Sequence, residues 1–508
     1  MVALFRRMGN NVRMGDKQYR PWAPRQGFLL PPSPLDWLPS NHLAHFILEL
    51  VEQLDLSEIE GAIQLKDARG TRPYSPGMMT ALLLYGYCVG VYSSRRIERA
   101  TYEDVAFRFL AGGQHPFFTT INEFRKTHME ALASLFGQVL GLCRKAGLVH
   151  LGHVAIDGTK VQANASKHKA MSYGRMQEEE ERLKAQLREL LVRANEIDEE
   201  EDARFGVGQR DEDLPAELHR REERLRRIQE AKAELEAEAR ESRAAELREQ
   251  ARRAEQRAQT EQCPKVRRAA QTRARQRREQ AQELSTVEED FLTPQGLPKH
   301  RVRVRPDGAP HAKAQRNFVD PDSRILERGG AFLQGYNCQL AVDGEHQVIL
   351  AKAVTNQSPD NGNLLPLLAL IHEGLGEKPT VCTADAGYWS ALAPPECARR
   401  GIDLYVAPDR QRHYAPPTTE TEDSTLERAR MRQKLQSPEG QAIYARRKAI
   451  VEPVNGQIKE ARGFRRFLVR GLAAVSAQWS LVCTGHNILK LYRLKPRHTS
   501  LAQLAVST

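Results

Sequence analysis

Three acidic residues stand where an α/β sheet would present them to a ligand. Asp157 closes the apolar run in HVAIDGTK, Asp385 follows another in TVCTADAGYW, and Glu452 lies in YARRKAIVEPVNGQIK, which reads as a helix. A carboxylate at the C-terminal edge of a strand points into the crevice where open α/β sheets bind ligands. Two strand ends and one helix could therefore bring three carboxylates together. Such a set suits Mg²⁺, or Mn²⁺ in its place, which take hard oxygen ligands and keep waters for substrate phosphates. Two ions about 4 Å apart can activate the attacking oxygen and stabilise the leaving one in phosphodiester transfer. An aspartate after a strand is commonly only a turn or cap residue, so the flanking sequence has to distinguish these. Gly158 and Gly387 let backbone approach a ligand. Around Glu452 lie Arg446, Arg447, Lys448, Lys459, Arg462, Arg465, Arg466 and Arg470, and Gln441 to Arg497 holds twelve Lys or Arg against two acids. An acid within so basic a stretch fits DNA phosphates running past a metal site.

Other polar residues near these have plainer explanations. Ser358 and Asp360 read as caps of the helix that follows, Asp320 and Asp322 as a turn, and His153 as a structural histidine. Trp389 could stack on an unpaired base, although a core aromatic is the commoner case. Arg410, Arg412 and His413, in PDRQRHYAPP, could reach DNA from a loop or simply be solvated.

The elements that must position the acids follow from periodicity. Strands are expected over 149–157, Gly335–Val342, His346–Val354, Pro379–Ala384 and Ile402–Ala407, rich in Val, Ile and aromatics and bounded by Gly, Pro or Asp. Asn361 to Glu373 and Ser437 to Lys459 read as helices between and after them, so the layer is α/β. Residues 40–147 look helical. Ser40-Asn41 can cap a helix to about Leu54, Ser75-Pro76 starts the next, Thr101 or Tyr102 to Leu110 follows, and Thr120 to Lys145 carries apolar residues at helical spacing. Arg95, Arg96, Arg125 and Lys126 sit near helix starts or on polar faces, as a helical DNA-binding module or a merely solvated surface would place them.

Residues 170–300 differ from the rest. EEEERLKAQLRELL and LPAELHRREERLRRIQEAKAELEAEAR are strong helix formers. Leu218, Leu225, Ile228 and Leu235 fit a short a/d seam, suited to subunit contact. A long helical hairpin inserted into the α/β domain is expected, broken at Gly206-Val207-Gly208 and restarted at Pro215. Residues 251–278 hold ten Arg or Lys against two Glu, which is usually a solvated face but could touch phosphate.

The 508 residues allow two to four domains, and their net charge of +11 favours a polyanionic partner. Hydrophobic residues make up 40%, yet the mean hydropathy is −0.57, so a polar segment dilutes a normal core. The longest mostly apolar run, Met78 to Val91, falls short of the roughly 20 residues that cross a bilayer. The first residues, MVALFRRMGN, offer no secretory signal. No membrane partner and a cytoplasmic, nucleoid-associated location are therefore expected. The seven cysteines form no C-x-x-C pair, which suits a reducing compartment and argues against a structural zinc site.

In five blocks and in the right order, the chain resembles the DDE transposases of bacterial insertion sequences, specifically the insertion sequence 1182-type branch. ALLLYGYCVGVYSSRRIERATYEDVAFRFL is similar to that branch's helical N-terminal domain, and AIDGTKVQANASK to the block around its first acid. GYNCQLAVDGEHQVILAKAVTNQSPD resembles the two strands that follow, TADAGYWS the second-acid block, and RRKAIVEPVNGQIKEARGFRRFLVRG the third. The resemblance implies an RNase H-like fold with Asp157, Asp385 and Glu452 as catalytic metal ligands, holding two Mg²⁺ or Mn²⁺ ions. Relatives carry a tyrosine and an arginine before the Glu and a lysine after it. Tyr444, Arg447 and Lys459 fit those types, but four residues separate Arg447 from Glu452 where the wider pattern has three. Lys459 would grip a phosphate near the cut. Tyr444, Arg447, Arg462, Arg465, Arg466, Arg470, Arg95 and Arg96 are the other expected DNA contacts.

The implied reaction is hydrolysis at the element's ends followed by attack of the freed 3′-hydroxyl on target DNA. The partners are double-stranded DNA, both terminal inverted repeats and target, and further copies of the chain, since two ends must be handled together. A metal-dependent nuclease on the same fold that never joins strands, or an inactive DNA-binding protein derived from a transposase, are the alternatives. The expected division is a Pro-rich extended arm (1–39), a helical N-terminal DNA-binding domain (40–147), an RNase H-like catalytic domain in two parts (148–169 and 301–498) flanking the helical insertion (170–300), and a tail (499–508).

Overall fold

The computed structural model describes residues 34–65, 72–205, 213–285, 291–305, 307–409, 426–495 and 501–506. Most of the Pro-rich arm, the Gly206–Gly208 break and the loop bearing Arg410, Arg412 and His413 lie outside the described residues. At the end of the arm Pro34–Trp37 is a short 3₁₀ turn.

Seven helices come first: α1 (Leu43–Gln53), α2 (Ser57–Gln64), α3 (Pro76–Val89), α4 (Ser94–Glu103), α5 (Val105–Leu110), α6 (Phe118–Thr127) and α7 (Met129–Lys145). Ser75 caps α3, its hydroxyl accepting from the Met78 amide, with Pro76 at the first helical position. The helix expected from about Thr101 is two. Asp104 interrupts it by turning its carboxylate to the amides of Ala106 and Phe107, a local bond that competes with the helical ladder. The long helix over 120–145 likewise breaks at His128.

The α/β part opens with β1 (His153–Gln162) and a short β2 (Ala170–Ser172), which pairs antiparallel with β3 (Gln315–Asn317). Then come β4 (Arg324–Arg328), β5 (Ala331–Asp343), β6 (Ile349–Thr355), α11 (Leu364–Leu375), β7 (Val381–Ala384), α12 (Ala393–Arg399), β8 (Asp403–Val406), α13 (Leu426–Gln436), α14 (Pro438–Gly456), α15 (Leu472–Leu494) and α16 (Leu501–Val506), the numbers α8 to α10 belonging to the insertion. The main sheet runs β4-β5-β1-β7-β8, with β6 also on β5. β5 is antiparallel to β1 and β6, while β1, β7 and β8 are parallel. The fold is therefore mixed α/β with a helical N-terminal region.

Between β2 and β3 lies the insertion: α8 (Tyr173–Phe205), α9 (Asp213–Thr260) and α10 (Pro264–Leu284). It has three long helices, not the two arms of a simple hairpin. Its ends do meet, Ala170 pairing with Asn317. Ile228 and Leu235 are buried against Tyr173, Met176 and Leu183 of α8. At Ile228 and Leu235 the apolar seam therefore packs within the chain, where the sequence suggested contact with another subunit. Leu225 is partly buried there, and the Leu218 side chain lies outside the described residues. Ala244, Ala251 and Ala258 of α9, and Ala270, Ala274 and Ala281 of α10, are buried where those helices meet. Arg316 joins Glu234 and Glu238, so β3 is tied to α9.

One apolar cluster spans the chain from Leu43 to Leu501, enclosing the N-terminal helices, the sheet and α15. α15 joins the two halves. The thiols of Cys88 on α3 and Cys143 on α7 donate to the carbonyls of Gly485 and Asn487 (3.5 and 3.8 Å). The Asn487 carboxamide exchanges two 2.8 Å hydrogen bonds with the Ile349 backbone on β6. No helix among the described residues is long and apolar enough to cross a membrane.

Candidate functional site

β1 does not stop at Asp157, as the sequence suggested, but continues to Gln162 because β5 keeps pairing with it. What ends there is the partnership with β7. The last parallel pair is Ile156 with Ala384, so Asp157 and Asp385 are the next residues on adjacent parallel strands. Two strands in the same phase send such residues to the same side of the sheet. The Asp157 Oδ1 accepts from the Gly158 amide (2.9 Å), and the Asp385 Oδ1 accepts from the Gly387 amide (2.9 Å). Burial, followed by the like charge of Asp385, pushes the Asp157 carboxyl up to about 7. Arg447 opposes that shift from α14.

Glu452 stands on α14, which packs across β1, β7 and β8. One turn further on, Asn455 donates its amide to Asp157 Oδ2 at 3.3 Å. Glu452 itself is exposed. The three acids are not drawn to one point: among the described residues no three carboxylates have oxygens all within 4.8 Å of one another. Two buried polar atoms near Asp157, Asn455 Oδ1 and Arg447 Nε, have no hydrogen-bond partner.

The site holds a further carboxylate that the sequence reading set aside. Asp360 caps no helix. The N-cap of α11 is Asn363, and Asp360 Oδ1 instead accepts from Asn337 Nδ2 and Gln339 Nε2, both at 2.8 Å. Tyr388, fully buried, donates its hydroxyl to Gln339 Oε1. The two glycines make room for this network. A Cβ on Gly158 would lie 2.7 Å from both Asp360 Oδ1 and Gln339 Nε2, and one on Gly387 would lie 3.0 Å from Asp385 Oδ1 and 3.3 Å from Asp360 Oδ2. A signal existed in the sequence: Asn337 and Gln339 alternate with apolar residues on a strand buried on both faces, and buried carboxamides require partners.

The expected DNA contacts divide. Lys459 is only 6% exposed and donates to the Lys160 carbonyl at 2.9 Å. It lies in a π-helical turn, Gln457–Ala461, whose wider winding carries it under β1. A phosphate grip does not fit that placement. Arg462 is buried as well, donating to the Gln457 carbonyl and facing His486 Nδ1 at 3.3 Å. Arg465, Arg466 and Arg470 are exposed, as are Arg95 and Arg96. The Arg447 guanidinium lies 5.8 Å from the Tyr444 ring centre, both half-buried beside the acids. Trp389 is partly buried against the core with Arg428 above its ring at 5.9 Å. His153 bonds to Thr383 Oγ1 (3.1 Å) within the sheet. Asp320 and Asp322 do more than turn the chain: they accept from the Gly471 and Leu472 amides at the start of α15.

No curated protein and no solved structure matches the chain. Two family models do. One, described as Transposase domain (DUF772), covers residues 33–127 and so the helices α1 to α6. The other, Transposase DDE domain, covers residues 395–492, which include Glu452 and the basic stretch but neither Asp157 nor Asp385. Together the two matches support a transposase of the DDE family, for which DNA is the implied substrate.

Proposed function

We propose that the chain is a DDE transposase of the insertion sequence 1182-type branch, cleaving DNA at the ends of an insertion sequence and joining the freed 3′-hydroxyl to target DNA. The observation that carries this reading is the pair Asp157 and Asp385, side by side just past the last parallel pairing of β1 and β7, under the helix that bears Glu452. The mixed sheet, antiparallel on one side of β1 and parallel on the other, supports an RNase H-like catalytic domain.

Asp157, Asp385 and Glu452 would hold Mg²⁺, or Mn²⁺, as a pair of ions. The donors fit such cations: carboxylate and carboxamide oxygens, with Asn455 Oδ1 buried and unpartnered beside them. A divalent pair supplies Lewis-acid chemistry at the scissile phosphate. The chain's own residues prepare for it. Asn455 orients Asp157, Arg447 offsets its charge, and the Gly158 and Gly387 amides fix the two carboxylates. Each step is an in-line displacement at phosphorus. A water or 3′-hydroxyl oxygen forms the new P–O bond, the bridging oxygen leaves with the electron pair, and a proton passes from the one to the other through solvent. No serine or tyrosine nucleophile is required.

The exposed Arg465, Arg466, Arg470, Arg95 and Arg96 would hold DNA backbone, with a homo-oligomer joining two ends in the nucleoid. Asp157→Asn, Asp385→Asn and Glu452→Gln keep shape and remove charge. Each is expected to abolish Mg²⁺-dependent cleavage of end-containing duplex while binding that duplex nearly as before. Near-normal cleavage by any one removes that residue from the reading, and cleavage without strand-transfer products from the unaltered protein would make it a nuclease.

A further inference from the structure

A second cluster of metal-binding side chains lies at the other end of β1. His150 precedes that strand, and Glu345 and His346 sit on the turn from β5 to β6. One donor atom from each of the three falls within 4.8 Å of the others, the one such group of His, Cys, Asp or Glu among the described residues. We propose that His150, Glu345 and His346 bind a transition-metal cation of the zinc class, which ties the β5–β6 turn to the segment entering β1.

The donor chemistry selects the cation. Two imidazoles and one carboxylate suit Zn²⁺ and its neighbours, whereas Mg²⁺ prefers oxygen alone. Three protein donors leave a fourth position for water. His150 Nε2 lies 3.7 Å from Glu345 Oε2, and the two imidazole rings are 5.2 Å apart, inclined by 35°. Donors at about 2.0–2.2 Å from a tetrahedral zinc stand some 3.4 Å from one another, so small rotations of the exposed His150 and Glu345 side chains suffice.

The backbone beneath the cluster is already fixed. The buried Asp343 carboxylate accepts from the amides of His150 (3.0 Å), Glu345 (3.0 Å) and His346 (2.7 Å). These are the three residues that carry the donors, so one carboxylate sets all three in place. His346 Nδ1 is buried without a hydrogen-bond partner. His150 Nε2, the nitrogen 3.7 Å from Glu345, also faces the Gly147 carbonyl at 3.0 Å, so the cation would displace that contact or take the other ring nitrogen. The turn is also anchored from behind. Gln347 donates to the Ala449 carbonyl of α14 (3.1 Å) and accepts from Lys490 of α15 (3.0 Å). A cation here would brace the turn on which α14 rests.

Calorimetry of the chelator-treated full-length protein with Zn²⁺, in excess Mg²⁺ to occupy the carboxylates, tests this. One equivalent of Zn²⁺ should bind and raise the melting temperature. His150→Ala and His346→Ala should each weaken binding by more than the roughly tenfold that even an outer-contact change costs, while Asp157→Asn binds as before. If His346→Ala does not fold, His150→Ala and Glu345→Gln, both at exposed side chains, carry the comparison. Absence of stoichiometric binding, binding only at millimolar zinc, or unchanged affinity in the histidine variants would overturn the proposal. Because Zn²⁺ binding is read apart from cleavage, this outcome is independent of the transposase reading.

Discussion

Replacing Asp360 with alanine would strip the acceptor from the fully buried Gln339 Nε2 and leave buried Asn337 Nδ2 only the longer bonds to the Gln357 and Ser358 carbonyls (3.2 and 3.4 Å). A buried donor left unsatisfied costs about 1–3 kcal/mol, so Asp360→Ala should lower the unfolding free energy by that order in a urea titration. Asp360→Asn keeps an acceptor oxygen and should lose much less. Gly158→Ala drives a methyl into the same place, 2.7 Å from Asp360 Oδ1, and should likewise destabilise the fold by roughly 1–3 kcal/mol through overpacking. Equal stability of the alanine and asparagine variants at 360 would show that the carboxamides find other partners. The role of Asp360 was hard to see in the sequence for a physical reason. An acid shortly before a helix is ordinarily its cap, and only the register that sets Gln339 opposite Gly158 reveals an acceptor shared across strands. The placement of Asp157 and Asp385 at the ends of apolar runs was readable because an apolar run ending in an acid is a local pattern. Lys459 misled because its type and spacing fit, while the π-helical turn that buries it is not written in either.

Among the elements, the strands β5, β6, β7 and β8 lie within a few residues of where β-branched and apolar runs placed them. β4 went unseen, since Arg324–Arg328 is polar and becomes a strand only by pairing with β5. The insertion shows the same limit. Helix-forming composition was plain, but the face that each helix buries depends on its neighbour. α9 and α10 meet through alanines, and Ala251 is fully buried there. Ala251→Leu should force the pair apart at a cost of about 1–3 kcal/mol, read as trypsin cleavage within α9 or α10 at concentrations that spare the unaltered protein. Unchanged resistance would mean that the interface can yield. α10 also carries exposed Arg267, Arg268 and Arg273. If it touches DNA backbone, replacing all three with Gln should weaken end-DNA binding and flatten its salt dependence, by up to about one counterion for each lost contact, with the melting curve unmoved. Unchanged affinity and salt slope would make this a solvated face.

At the scale of the whole molecule, buried histidines and buried acids pull stability in opposite directions with pH. Burial, reinforced by Arg324 and Arg303, holds His300 down to about 4 from 6.5. The unfolded chain therefore takes up a proton on His300 between pH 6.5 and 4 that the folded chain refuses, and this contribution is lost as pH falls. Asp320 and Asp343, raised by burial, act the other way, so the total curve hides each. The stability of the unaltered protein minus that of His300→Gln isolates the histidine, and this difference should shrink from pH 7 to pH 4. A difference independent of pH would mean that His300 is protonated alike in both states. The joining of the two ends of the chain through α15 has an effect on the order of events during synthesis. The groove between α3 and α7 that receives Gly485 and Asn487 is made within the first 145 residues, yet its filler is translated more than 300 residues later. While the ribosome makes the insertion and the sheet, that apolar groove has no native partner and needs shelter from aggregation. A message truncated before α15 would yield chains that hold Asp157 and Asp385 but cannot close their core.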